Sequence, residues 1–197
     1  MNCRLSRLEL WGGAQGFLGL GCVCLLILAM AGCGGNSPAP AIETSAPAES
    51  DAPRVTPEGH LDRALPKLKT MRLYIGAHEL VTELCTNNVQ RMTGMMFRTN
   101  LAENEAMLFV FPWPHRTSFY MKNTRVPLSA AYIDPDGVIR EIHDLNPGDL
   151  QGKEAQVDNI QYVLETTQGW FRRRQLGPGA VVRTEEGSLP QTFFKNR

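Results

Sequence analysis

Three cations stand among apolar residues in the middle of the chain. Arg91 and Arg98 flank the segment Met92-Thr93-Gly94-Met95-Met96-Phe97, and Lys122 follows Phe119-Tyr120-Met121. Asn123 and Thr124 come directly after Lys122 and add hydrogen-bond donors. Cations with several donors beside them suit a carboxylate or a phosphate, because charge supplies attraction and the donors fix the pose. An unpaired cation is costly to bury, so each of these must face solvent, a carboxylate or a ligand. The expectation is one ligand site for a small anion, built from Arg91, Arg98, Lys122, Asn123 and Thr124, with Glu165 as acidic partner. The competing expectation is structural: Arg98 pairs with Glu165 or Asp134, while Lys122 and Asn123 satisfy backbone groups in a turn.

Other chemistry finds less support. Met92, Met95, Met96, Met107 and Met121 fall close together, and thioethers are soft ligands that suit Cu(I). Methionine also fills irregular core gaps, and Phe97, Leu108 and Phe109 stand beside these residues, so packing is the expected role and no metal is expected. His60, His78, His115 and His143 show no paired ligand spacing. Gly-x-Ser-x-Gly, His-Glu-x-x-His and a glycine-rich phosphate loop are absent, so no catalytic set and no cofactor is assigned. Phe111-Pro112-Trp113-Pro114-His115 reads as a stiff aromatic loop that either rims a pocket or caps the core. Trp170 and Phe171, ahead of Arg172, Arg173 and Arg174, could touch an anionic membrane, though a solvated basic face accounts for the arginines better.

The elements that position these residues read mostly as strands. Met71, Leu73 and Ile75 alternate with Arg72 and Tyr74, and after Gly76-Ala77 a second run reaches Cys85, which predicts a hairpin. A short helix follows over 87–93, capped by Thr86 or Asn87 and stopped by Gly94. Further runs lie at 106–111, 118–121, 130–134, 138–143, 162–167 and 180–184, and Pro135-Asp136-Gly137 is a strong turn signal. The expected fold class is all-β: a compact barrel or sandwich-like domain of about eight short strands with one short helix.

The leader locates the protein. Arg4 and Arg7 precede an apolar stretch from Phe17 to Met30, and Met30-Ala31-Gly32-Cys33 closes it. A basic start, an apolar middle and small residues at the cut describe a secretion signal. The cut resembles the bacterial lipobox, which implies that Cys33 is acylated and that membrane lipid is a partner. An uncleaved membrane helix over 10–31 is the alternative, and it also leaves the domain outside the cytoplasm. The expected organisation is a signal over 1–32, a lipidated disordered linker over 33–66 rich in Pro, Ala and Ser, and one globular β domain over 67–197. That domain is about 130 residues, a usual size for one core. It keeps only Cys85, so no internal disulfide can form, and Cys85 reads as a buried small hydrophobe. With 20 Lys and Arg against 20 Asp and Glu, no basic field argues for nucleic acid.

Arg91 to Arg98, Met107-Leu108-Phe109-Val110-Phe111, Met121-Lys122-Asn123-Thr124, Pro127-Leu128 and Tyr162-Val163-Leu164-Glu165 form a series. It resembles the domain-of-unknown-function family 192, whose pattern is Gly-Leu-Met-x-Arg, Met-Leu-Phe-x-Phe, Met-Lys-Asn-Thr, Pro-Leu and Val-Leu-Glu. The resemblance implies a compact β fold, often exported, and no established reaction. Where the family usually has Pro-Leu-Asp this chain has Ser129, and where Gly-Asp is usual it has Ala180. If the family's carboxylate after Pro-Leu did chemistry, Ser129 could not repeat it as a base. The expected function is therefore a membrane-tethered, extracytoplasmic binding or accessory module with a small cationic pocket for an anion or an envelope protein. An envelope enzyme acting on a small anionic or cell-wall substrate, and a Cu(I) handler, are the alternatives.

Overall fold

The computed structural model describes residues 52–195. The leader, Cys33 and most of the expected linker lie outside the described residues. Strands β1 (Thr70–Ile75) and β2 (His78–Cys85) form the hairpin that the alternation predicts, with Ile75 opposite His78 and Gly76 at φ 59° in the turn. Helix α1 (Asn88–Thr93) follows at once. Asn87 caps it by accepting the Gln90 N–H, the Gln90 side chain returns the bond, and Gly94 ends it.

From α1 the chain comes back as β3 (Glu105–His115), which pairs with β2 in parallel, Cys85 opposite Phe109. The rest is antiparallel: β4 (Ser118–Phe119), β5 (Leu128–Ile133), β6 (Ile139–Leu145), β7 (Lys153–Glu154), β8 (Ile160–Thr167), β9 (Val182–Thr184) and β10 (Gly187–Ser188). Two further helices are α2 (Trp170–Arg173) and α3 (Leu189–Phe193). Eight strands make one sheet in the order β10-β9-β1-β2-β3-β8-β5-β6, while β4 and β7 form a separate ribbon. The sheet curls until β6 and β9 touch through a Val138–Val181 bridge, with the Ile139 N–H reaching the Ala180 carbonyl at 2.9 Å, but it is not a closed barrel. The mostly β class is as expected, with ten strands and three short helices among the described residues in place of eight and one.

Strand parity divides the core. Leu108, Val110, Ala131, Tyr162 and Leu164 face one side, where Trp170 and Phe171 of α2 and Leu189 of α3 cover them. Met107, Phe109, Ala130, Tyr132 and Val163 face the other, under Leu61, Leu65, Met95, Met121 and Val126. Because both faces are covered, β5 is buried at every position and β8 at all but its last.

Two expectations change. Trp170 and Phe171 are 0% and 1% exposed, so they are core residues and cannot meet a membrane. Leu61 and Leu65 are also buried, Val55 bridges Leu61, and the Leu61 N–H donates to Thr93 Oγ1 at 2.9 Å. Residues 54–65, which composition assigns to the tether, therefore pack with the domain. Pro and Ala obscured two leucines that have a surface to cover. Among the described residues no helix is long and apolar enough to cross a membrane.

Gly94 joins helix to core. Its φ is +47°, and a Cβ there would stand 2.9 Å from Phe109 Cζ. Gly94→Ala should cost roughly 1–3 kcal/mol through strain and overpacking, measured as a lower melting temperature. An unchanged melting temperature would show that Phe109 yields freely.

Candidate functional site

A cavity of about 580 Å³ opens on the face of the sheet that α1 covers. Its floor is set by cross-strand pairing. Glu165 of β8 lies between Met107 of β3 and Ala130 of β5, and the small Ala130 leaves room beside it. Its walls come from the α1 region through Arg91 to Met96, from Phe109, Phe111 and Trp113, and from Phe119 and Tyr120. Phe119 meets Phe109 edge to face at 4.9 Å, which fixes the short β4 segment over the sheet. Trp113, Tyr120 and Met92 are exposed and stand at the rim. The Pro-Trp-Pro loop therefore borders the cavity, one of its two expected roles.

Three of the six expected site residues line this cavity: Arg91, Thr124 and Glu165. Arg91 leans on the Phe111 ring at 5.7 Å, and its Nη1 donates to the carbonyls of Thr86 at 2.8 Å and Val110 at 3.0 Å. Val110 lies just past the last β3 residue that pairs with β2, so Arg91 supplies the donor that a longer β2 would have given.

Arg98 is placed elsewhere. Its two terminal nitrogens donate to both Glu83 carboxylate oxygens at 2.7 and 2.8 Å, and both side chains are largely buried. Burial works to raise the Glu83 pKa, but the Arg98 guanidinium and the Leu68 N–H outweigh it and hold the carboxyl below its usual value. A cation matched in this way has no fork left for a ligand. Removing one member of a buried pair typically costs about 3–5 kcal/mol, so the bridge is a structural fastening. The structural expectation for Arg98 therefore names the right kind of partner but the wrong carboxylate. Lys122 and Asn123 are in a turn outside the cavity lining, where Asn123 has φ 57°, its carbonyl accepts the Phe97 N–H at 2.8 Å, and Thr124 N–H reaches the Met121 carbonyl.

Glu165 is the anomaly. It is 4% exposed, and its Oε2 has no hydrogen-bond partner. Burial alone pushes its pKa up to about 8, with no cation opposing the rise. Two other ionisable side chains on this face are quiet: burial raises the Cys85 thiol and the Tyr132 phenol well above their usual ranges. Cys85 donates to the Gln90 carbonyl at 3.5 Å, and Tyr132 donates to the Lys153 carbonyl. Cys85 thus behaves as the buried hydrophobe that its context suggests.

Ser129 belongs to the other face. Its Oγ donates to Asp144, its neighbour across the β5–β6 pair, and accepts the Gly169 N–H at 2.8 Å where α2 begins. Burial works to raise the Asp144 pKa, but hydrogen bonds from Ser129 and Arg172 hold it below its usual value. The position after Pro-Leu therefore anchors α2, with its carboxylate supplied by Asp144, and Ala180 contributes its backbone to the β6–β9 contact. Among the described residues no cluster of His, Cys, Asp and Glu could hold a metal ion, and Met95, Met96, Met107 and Met121 are buried.

The family model DUF192, described as Uncharacterized ACR, matches residues 71–184. Two solved structures are similar. One, from Sinorhizobium meliloti and described as a proposed transcription regulator, is 29% identical with a TM-score of 0.58, covering 61% of this chain and 98% of its own. The other, a protein of unknown function from Novosphingobium aromaticivorans, is 28% identical with a TM-score of 0.57, covering 71% of this chain and 98% of its own. No curated protein matches.

The Glu165 pKa makes a signed prediction. A carboxyl whose folded pKa is raised contributes its stability fully below the unfolded value, near 4.5, and that contribution is lost as pH rises through about 8. The parent protein should therefore lose several kcal/mol of stability between pH 5 and pH 9. Glu165→Gln should flatten that loss in thermal melts across this range. Parallel pH profiles for the two proteins would show that Glu165 ionises freely.

Proposed function

The chain belongs to the DUF192 family, and we propose that it is an exported, lipid-tethered member whose domain binds a small, largely apolar molecule in the cavity over Glu165. The observation that carries the binding reading is a cavity of about 580 Å³, walled by aromatic and thioether side chains, above a buried carboxyl that no protein donor satisfies. Ligand sites are typically concave and mostly apolar, with a few placed polar groups, and this cavity falls in their usual size range. A cationic pocket for a small anion is less well supported. Arg98 is spent on Glu83, and Arg91 is held by two carbonyls.

The tether reading rests on Met30-Ala31-Gly32-Cys33. A diacylglyceryl cysteine would hold the domain at the membrane by burying methylenes at about 0.8 kcal/mol each. The chain between Cys33 and Val55 can reach at most about 75 Å when extended, far enough to lift a domain clear of the surface. Expressed in a bacterial host with labelled palmitate, the parent chain should take up label and Cys33→Ser should not. Equal labelling of both would remove the lipoprotein reading.

Trp113 offers a test of the cavity. In the described domain it is 66% exposed at the rim, while Trp170 is fully buried on the other face of the sheet. Neutral naphthalene derivatives should quench Trp113 fluorescence saturably. Trp113→Ala should weaken their binding about tenfold while leaving the melting temperature of the free protein unchanged. Absence of saturable binding by every apolar probe would overturn the binding reading.

A further inference from the structure

Resting on that binding reading, we propose that the cavity's ligand is an amine carried on an apolar or aromatic body, with the Glu165 carboxyl as its ion-pair partner. The first observation is the unpartnered Oε2 of Glu165, in a side chain almost wholly buried on the cavity floor. A buried polar atom without a partner is costly, and such atoms are rare in native cores without a reason. A ligand that brings an N–H donor to this oxygen would remove the cost.

The second observation is what surrounds it. On β2, Glu83 is paired with Arg98 and Cys85 is a neutral thiol. On β5, Tyr132 is a neutral phenol, and on β6 the Glu141 carboxylate accepts from or pairs with His143 Nε2 at 2.7 Å. On α1, Arg91 donates to two carbonyls, and His115 Nδ1 lies 3.2 Å from the Trp113 carbonyl and packs on Phe111. None of these groups is paired with Glu165, so a cation from a ligand would be the first counter-ion to reach it.

The third observation is the wall. Phe109, Phe111, Phe119, Tyr120 and Trp113 line one cavity, and ring faces carry the negative part of the aromatic quadrupole. Such walls attract an ammonium and its methylenes together, whereas their ring faces disfavour an anion. The charge balance is simple. A neutral amine takes the proton of the Glu165 carboxyl to give an ammonium carboxylate pair. An amine that arrives already protonated displaces that proton to the buffer. Binding of an ammonium near neutral pH therefore releases a proton, and affinity rises with pH up to the carboxyl's own pKa of about 8, then stays level until the amine itself deprotonates.

Three probes of one shape test this: benzylamine, benzyl alcohol and benzoate, titrated calorimetrically into the purified full-length protein. Benzylamine should bind at least about tenfold tighter than benzyl alcohol, and benzoate should bind worst. In two buffers of different ionisation enthalpy at pH 7, benzylamine should release close to one proton per molecule bound. Glu165→Gln should abolish both the release and the preference for the amine. Its melting temperature, followed in parallel, establishes that it is folded. If benzyl alcohol binds as well as benzylamine and Glu165→Gln changes neither, the amine inference fails while the binding reading stands. If benzoate binds best, the site is one for anions. If none of the three binds, and the naphthalene probes also fail, both readings fall together.

Discussion

Covering both faces of a sheet sets a condition on every residue in its central strands: a polar side chain there must find a partner inside the protein. β8 and β5 meet this condition at almost every polar position. Thr166 Oγ1 donates to the Glu105 carbonyl, and Ser129 is satisfied by Asp144 and Gly169. On β2, Glu83 is held by Arg98 and by the Leu68 N–H at 2.8 Å. Glu165 obeys the same burial and leaves Oε2 without a partner. The Glu83 carboxylate on β2 and the Ser129 hydroxyl on β5 have partners, and the Glu165 oxygen does not.

The same condition explains how the cavity survives. α1 is held on one flank, where a Cβ at Gly94 would already stand 2.9 Å from Phe109 and the Leu61 N–H is fastened to Thr93. β4 is held on the other flank by Phe119 against Phe109 and Tyr132, and by its pairing with β7. Two covers braced at separate points leave a gap between them, and Glu165 lines that gap.

Much of this was legible in the sequence, and what was not has physical reasons. The β1–β2 hairpin, the Asn87 cap, the Gly94 stop and the Pro135-Asp136-Gly137 turn are local signals, and each is found where its residues stand. The parallel β2–β3 pairing is non-local and left no trace in either strand alone. α2, α3 and the ordering of residues 54–65 depend on apolar side chains meeting a surface built by distant strands, so composition misplaced Trp170, Leu61 and Leu65. Charges were the least legible. Arg98 and Lys122 attract notice as cations among methionines, yet which carboxylate neutralises Arg98 is decided by the register that sets Glu83 beside Met107. The better signal was the run Ile160 to Thr166. It does not alternate, which marks a strand buried on both faces, and a glutamate inside such a run must be buried with it.

That burial also decides which ionisation matters. Glu103, on the surface, is held down to about 2 by Arg174 and Arg173, so its charge is constant at any physiological pH. Cys85 and Tyr132 are raised by the same interior and stay neutral through that range. Glu165 starts from a carboxylate's low value and is raised by the same desolvation only to about 8, which places its change of charge near neutrality. An interior that keeps a thiol and a phenol silent thus leaves this carboxyl responsive. The response needs no moving part: a cation held beside the carboxylate inside the cavity would lower its pKa by favouring the ionised form.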